Sequence, residues 1–171
     1  MPGIPISRIT TKDIAILETM LSRYNGSCRH FAALLRRKVD SSAIYLRDDI
    51  PPDTVTLNSS VAYSVGTAVA GPHLVVQGEI EDLPAFAVSI HSLRGLALLG
   101  MSEGESVDVP VSDTESERLY VDTVLSQPEA EANLALRRPA GLLHASNVLP
   151  LRMRRSGRDA PDGDDPGPQA A

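Results

Sequence analysis

One cysteine, Cys28, stands in the 171 residues, so no internal disulfide can form and a cluster of thiolate metal ligands is excluded. Tryptophan is absent, phenylalanine occurs twice, and aromatic residues make up 4% of the chain. The core must therefore be built from aliphatic side chains, and a surface that stacks bases or cages a cation on aromatic faces is not expected. Positive charge is not in excess: the formal net charge is −6. That argues against direct binding to nucleic acid, which rests on neutralising phosphates with Lys and Arg. No apolar run approaches the ~20 residues that span a bilayer. The opening residues, MPGIPISRITT, lack the charged-then-apolar layout of a signal peptide. A cytoplasmic location without membrane contact is the expectation. No glycine-rich loop opens a helix, which leaves no cradle for a phosphate.

What is present is a change of periodicity halfway along the chain. Ile14, Leu17, Leu21 and Tyr24 recur at helical spacing, with Ile16 and Met20 widening the stripe. Thr10 and Asp13 give a capping start, and Asn25-Gly26 a stop. A second helix is expected from near Ser27, with Phe31, Leu34, Leu35 and Val39 inward and Arg36, Arg37 and Lys38 toward solvent. The short link makes an antiparallel helical hairpin of roughly 13–16 residues a side, an arm of about 20–24 Å.

Ile50-Pro51-Pro52-Asp53 ends the helical regime. Alternation at Val55, Leu57, Ser59, Val61 and Tyr63 predicts a strand over Thr54–Tyr63, and His73–Ile80 a second after a turn at Gly71-Pro72. Ala85–Ile90 reads as a third strand, and Ser92–Met101 as a short helix capped by Ser92 and ended by Gly100. Ser106–Val111 and Arg118–Leu125 close the unit through a polar loop at Ser112–Glu115. The fold class is α+β: a helical hairpin, then an antiparallel sheet with one packed helix. The organisation expected is a leader at 1–9, the hairpin arm at 10–49, a β-rich domain at 50–128, a partly helical extension at 129–155 and a disordered tail at 156–171.

Side chains that could carry chemistry are scattered. Cys28 and His30 lie close at the hairpin tip, where a small thiol and an exposed imidazole are the plainer reading. His73, His91 and His144 have no partner at helical spacing, so no zinc site is expected. Ser59, Ser60, Ser89 and Ser92 lack any arrangement that would activate a nucleophile and suit caps and strand edges. Arg137-Arg138 and Arg152–Arg158 are basic islands that read as solvated segments. No cofactor, metal or enzymatic activity is expected.

Three stretches in order resemble the family of Gre-type RNA polymerase secondary-channel factors, most closely its short-armed Rnk branch. They are IPPDTVTLNSSVAY (Ile50–Tyr63), VSIHSLRGLALLGMSEGE (Val88–Glu105) and QPEA (Gln127–Ala130), and with the two-helix arm before them the resemblance extends over about residues 10–130. In the second, Gly95, Gly100 and Gly104 are scaffold positions: close helix–sheet packing, a left-handed helix end and a turn into the next strand. The sequence departs from the family pattern where Leu93 replaces a proline and His91 precedes Ser92.

The resemblance implies an FKBP-like β-rich domain that docks on the rim of the polymerase secondary channel. The partner-binding residues it implies are Ser89, His91, Ser92, Leu93 and Arg94, with Leu93 as a hydrophobic anchor. Family members that stimulate RNA cleavage deliver carboxylates to the polymerase Mg²⁺ at the tip of a long arm, because Mg²⁺ prefers hard oxygen ligands. Here the tip, Tyr24-Asn25-Gly26-Ser27-Cys28, has no carboxylate and the arm is short. The implied function is a non-catalytic, monomeric transcription modulator that competes with cleavage factors. The alternative is a regulatory adaptor of nucleotide metabolism whose partner is not polymerase, with residues 131–171 as a separate contact. FK506-binding-type prolyl isomerases share the implied fold, but their activity needs an aromatic-lined pocket. Residues 54–125 offer only Tyr63, Phe86 and Tyr120, so isomerase activity is not expected.

Overall fold

A computed structural model describes residues 5–137. The first helix, α1 (Thr11–Arg23), starts where Thr10 Oγ1 accepts from the Asp13 backbone N–H at 3.1 Å. The second, α2 (Arg29–Ser41), begins two residues after the expected start at Ser27. The turn between them is held by Tyr24, whose hydroxyl donates to the Cys28 carbonyl at 3.1 Å and whose ring lies 5.2 Å from that of Phe31.

The hairpin is not a free-standing arm. Ile14 and Leu17 of α1 and Phe31, Leu34 and Leu35 of α2 belong to one core with Val55, Leu57, Ile90, Leu96 and Leu98. Lys38, expected in solvent, is buried on that same face, because 31, 34, 35 and 38 fall on a single helical stripe. At the base of the hairpin, β1 (Arg8–Thr10) pairs in parallel with β2 (Ala43–Tyr45). Arg8 N–H donates to Gly100 O at 2.8 Å, which ties this small sheet to the β-rich body. Neither three-residue strand was legible in the sequence, and residues 8 and 9, expected within a leader, are part of the fold.

The body is a five-stranded sheet of order β5-β4-β3-β7-β6. Its strands are β3 (Ser60–Val65), β4 (Ala68–Val76), β5 (Ala87–Ser89), β6 (Ser106–Pro110) and β7 (Ser116–Ser126). Pairing is antiparallel except for β5, which runs parallel to β4 after a crossover through residues 77–86. The α+β architecture of hairpin, sheet and packed helix is as expected; the parallel edge makes the sheet mixed. Residues 55, 57, 59, 61 and 63 are all buried as their alternation demands, yet only 60–65 is strand. Residues 56–59 form a turn instead, with Ser59 Oγ accepting from Thr56 N at 3.1 Å and Asn58 at φ 65°. The β3–β4 turn falls at Gly66, not at Gly71-Pro72; the latter pair lies inside β4 beside a register shift, where the missing N–H of proline is tolerated.

The helix α3 (Leu93–Leu98) packs against β5, and α4 (Pro128–Arg137) follows β7. Gly95 makes the first contact possible: a Cβ there would lie 2.0 Å from the Ser89 carbonyl oxygen. Gly100 at φ 82° carries the chain out of α3 in the left-handed conformation. The start of α4 is fixed from beneath. Gln127 Nε2 donates to Pro51 O and Thr54 O, and Thr56 Oγ1 donates to Glu129 Oε2 at 2.6 Å. The extension beyond 137 and the tail at 156–171 lie outside the described residues.

Candidate functional site

The five residues of the implied docking corner occupy the turn between β5 and α3, and the fold gives them different surroundings. Ser89 is buried. Its Oγ donates to Gly78 O and accepts from His91 N at 3.0 Å, while its carbonyl accepts from both the N–H and the hydroxyl of Ser92. It holds the turn through both its hydroxyl and its carbonyl. Ser92 Oγ accepts from Gly95 N at 3.1 Å and so caps α3, half-buried. Leu93 is half-buried with part of its side chain against the core.

Arg94 is exposed and engaged by Glu117 in a bidentate pair, with Nε to Oε2 and Nη2 to Oε1 both at 2.8 Å. The hydrogen bonds to Glu117 raise the Arg94 pKa above its usual value, and those from Arg94 hold Glu117 below the ordinary carboxylate range. His91 belongs to a different part of the surface. It lines a cleft of about 670 Å³ with Tyr24, Asn25 and Gly26 of the hairpin tip and Gln77 and Glu79 of the crossover.

Ser92, Leu93 and Arg94 line a second cleft, of about 460 Å³, between the crossover and the β6–β7 loop. Tyr63 and His73 also line it, the Tyr63 hydroxyl and His73 Nδ1 lying 2.9 Å apart. Burial pushes the Tyr63 phenol above its usual pKa. Ile80 and Val111 stand on opposite lips, each with appreciable apolar exposure. Phe86 and Tyr120 lie outside the lining, so Tyr63 is the only Phe, Tyr or Trp in it, far from an aromatic-lined pocket.

The sequence reading missed Glu117, the Tyr63–His73 pair and the crossover as parts of this surface. They come from strands remote in sequence, and only the pairing of β3 with β4 and β7 brings them together. At the hairpin tip, His30 Nε2 lies 3.1 Å from Asp113 Oδ1, which Arg29 also meets. Among the described residues, no group of three or more His, Cys, Asp or Glu is placed to hold a metal ion. No helix among them is long and apolar enough to cross a membrane.

No family model and no curated protein matches this sequence. Among solved structures, the chain is similar over 70% of its length to a prokaryotic transcription elongation factor GreA/GreB from Nitrosomonas europaea, at 26% identity and a TM-score of 0.49, covering 98% of that chain. It is also similar to the GreA factor homolog 1 (Gfh1) protein of Thermus thermophilus, at 14% identity and a TM-score of 0.30, over 69% of this chain and 97% of that one. Gfh1 of Thermus aquaticus is similar at 15% identity and a TM-score of 0.33, over 68% and 96% of the two chains.

Proposed function

We propose that this chain is a non-catalytic transcription regulator of the Gre type, which docks on RNA polymerase at the rim of the secondary channel and competes there with cleavage factors. What supports the reading first is the run Val88–Glu105, whose residues resemble the docking segment of that family. The observation that carries it is the presentation of Leu93 and Arg94. Both stand on the first turn of a capped helix at the mouth of an open cleft. An apolar anchor beside a charged group, on a rigid element, is the arrangement that interface hot spots favour.

The hairpin supports a reading without cleavage chemistry. Each of its helices has 13 residues and spans about 20 Å, and one face of each is sealed into the core of the body. Its tip residues 24–28 contain no carboxylate, and the nearby Asp113 is engaged by Arg29 and His30. A hairpin so placed supplies no acidic ligand to a metal ion deep in another protein.

The test is a transcript-cleavage reaction on a stalled polymerase complex. The chain alone yields no cleavage above the polymerase background. Titrated against a Gre cleavage factor, it suppresses the stimulated rate in a saturable, competitive manner. Cleavage by the chain itself, or a stimulated rate indifferent to it at saturating concentration, contradicts the proposal.

A further inference from the structure

We infer that the cleft beside Leu93 receives a bulky apolar side chain carried on a basic segment of the partner protein. The inference rests on the reading of the β5–α3 corner as a docking surface, since Leu93 and Arg94 form one wall of the cleft. Its interior is apolar at Leu83, Val88 and Leu93, and Ile80 and Val111 expose apolar surface at either lip. A cavity of about 460 Å³ open at its mouth accommodates one or two large side chains, and burying them there removes apolar surface from water on both partners.

The charge around that mouth selects the flanks of the segment. The crossover, residues 77–86, carries Glu79, Glu81 and Asp82 and no basic residue. The opposite loop, residues 111–117, carries Asp113, Glu115 and Glu117, again with no basic residue. Glu117 is satisfied by Arg94, and Asp113 by Arg29 and His30. Glu79, Glu81, Asp82 and Glu115 have no ion-pair partner among the described residues, and the crossover acids are exposed. Glu81 and Asp82 lie in the chain between the lining residues Ile80 and Leu83, and Glu115 between Val111 and Glu117, whereas Glu79 lines the neighbouring cleft. Unpaired carboxylates so placed beside an apolar slot repel phosphates and acidic peptides and attract Lys and Arg. A nucleic acid or an anionic lipid surface is therefore disfavoured, and a basic protein segment with an apolar centre fits.

The test uses the full chain, labelled with ¹⁵N, and two synthetic peptides: one with a central Leu-Leu pair flanked by Lys and Arg, and its counterpart with Glu in every flanking position. The basic peptide is expected to bind saturably, with amide shifts centred on Ile80, Val88, Leu93 and Val111 and an affinity that falls with added salt. The variant with Glu79→Lys, Glu81→Lys and Asp82→Lys changes exposed side chains only, and should bind the basic peptide at least roughly tenfold more weakly. Equal binding of the acidic peptide, shifts confined to another surface, or unaltered affinity in the triple variant overturns the inference.

Core polymerase is assayed in parallel. If it binds wild type and triple variant alike, the corner reading stands and the inference about the cleft fails. If it binds neither while the basic peptide binds as expected, the cleft chemistry stands and polymerase is the wrong partner.

Discussion

Lys38 Nζ donates to the carbonyl oxygen of Leu99, the residue that closes α3, and thereby bonds the hairpin to the helix that carries Leu93 and Arg94. Its other contact is Ser7 Oγ at 2.9 Å. A neutral amine has two N–H donors, and both are used; a protonated one has a third with nowhere to go. Burial, with help from Arg37 and against the pull of Glu105, lowers the Lys38 pKa to about 7.

Stability should therefore depend on pH in the alkaline range. An unfolded lysine titrates near ~10.4. Between about 7 and that value the unfolded chain binds a proton that the folded chain does not, so stability rises with pH across this window and is flat below it. The expected slope is on the order of 1 kcal/mol per pH unit, read from urea unfolding at several pH values. Lys38→Met should lose the slope. A Lys38→Met protein that keeps it assigns the dependence to another group.

Asp13 makes a second buried connection, from α1 to the 56–59 turn, with Oδ2 accepting from Leu57 N at 3.2 Å. Its Oδ1 is buried without a partner among the described residues. Burial first, and then the charge of Glu129, raise its pKa, against the hydrogen bond from Leu57. Asp13→Ala strands the Leu57 N–H and should cost about 1–3 kcal/mol. Asp13→Asn keeps an acceptor and removes the buried charge, so it should cost less at neutral pH. A folded carboxyl with a raised pKa contributes stability at low pH that is lost as pH rises through that pKa. The stability of Asp13→Asn relative to wild type should accordingly fall as pH falls. A relative stability of the Asn variant that rises in acid contradicts this account.

Gly95→Ala puts a methyl group on backbone, not on a side chain that could move aside: the clash at 2.0 Å is with the Ser89 carbonyl. Separating α3 from β5 would also disturb the turn that Ser89 and Ser92 hold. The substitution should cost about 3 kcal/mol or more, seen as a large fall in the unfolding midpoint. A fall of only a degree or two would mean that helix and strand can part at little cost.

These connections also show what was legible in the sequence and what was not. The hairpin, the helix after Ser92 and the β6–β7 loop were readable because capping, periodicity and turn residues act over three or four neighbours. Lys38 was not legible as a core position, because its charge argues for solvent while its place on the stripe of Phe31, Leu34 and Leu35 argues for burial. The burial of residues 55–63 was right while their strand was too long, since Ser59 offers Thr56 a local hydrogen bond that competes with the ladder. Around the cleft, Ser92, Leu93 and Arg94 sit together in one local motif, which made them legible as neighbours. Glu117 and the two acidic loops were not legible beside them, because their proximity depends on a sheet order that no local pattern encodes. The packing of the hairpin against the body was missed for the same reason.

The central claim is that the Leu93–Arg94 corner docks on RNA polymerase, and direct binding to the core enzyme tests it. The account predicts micromolar or tighter binding by wild type, abolished by excess Gre factor. It predicts at least roughly 30-fold weaker binding by Leu93→Asp, the loss expected for a charge placed at an interface anchor. Leu93 also touches the core, so the variant is scored only with its cooperative unfolding transition retained, and Arg94→Glu, at an exposed position, serves as the second variant. No binding by wild type, or undiminished binding by both folded variants, would contradict the account.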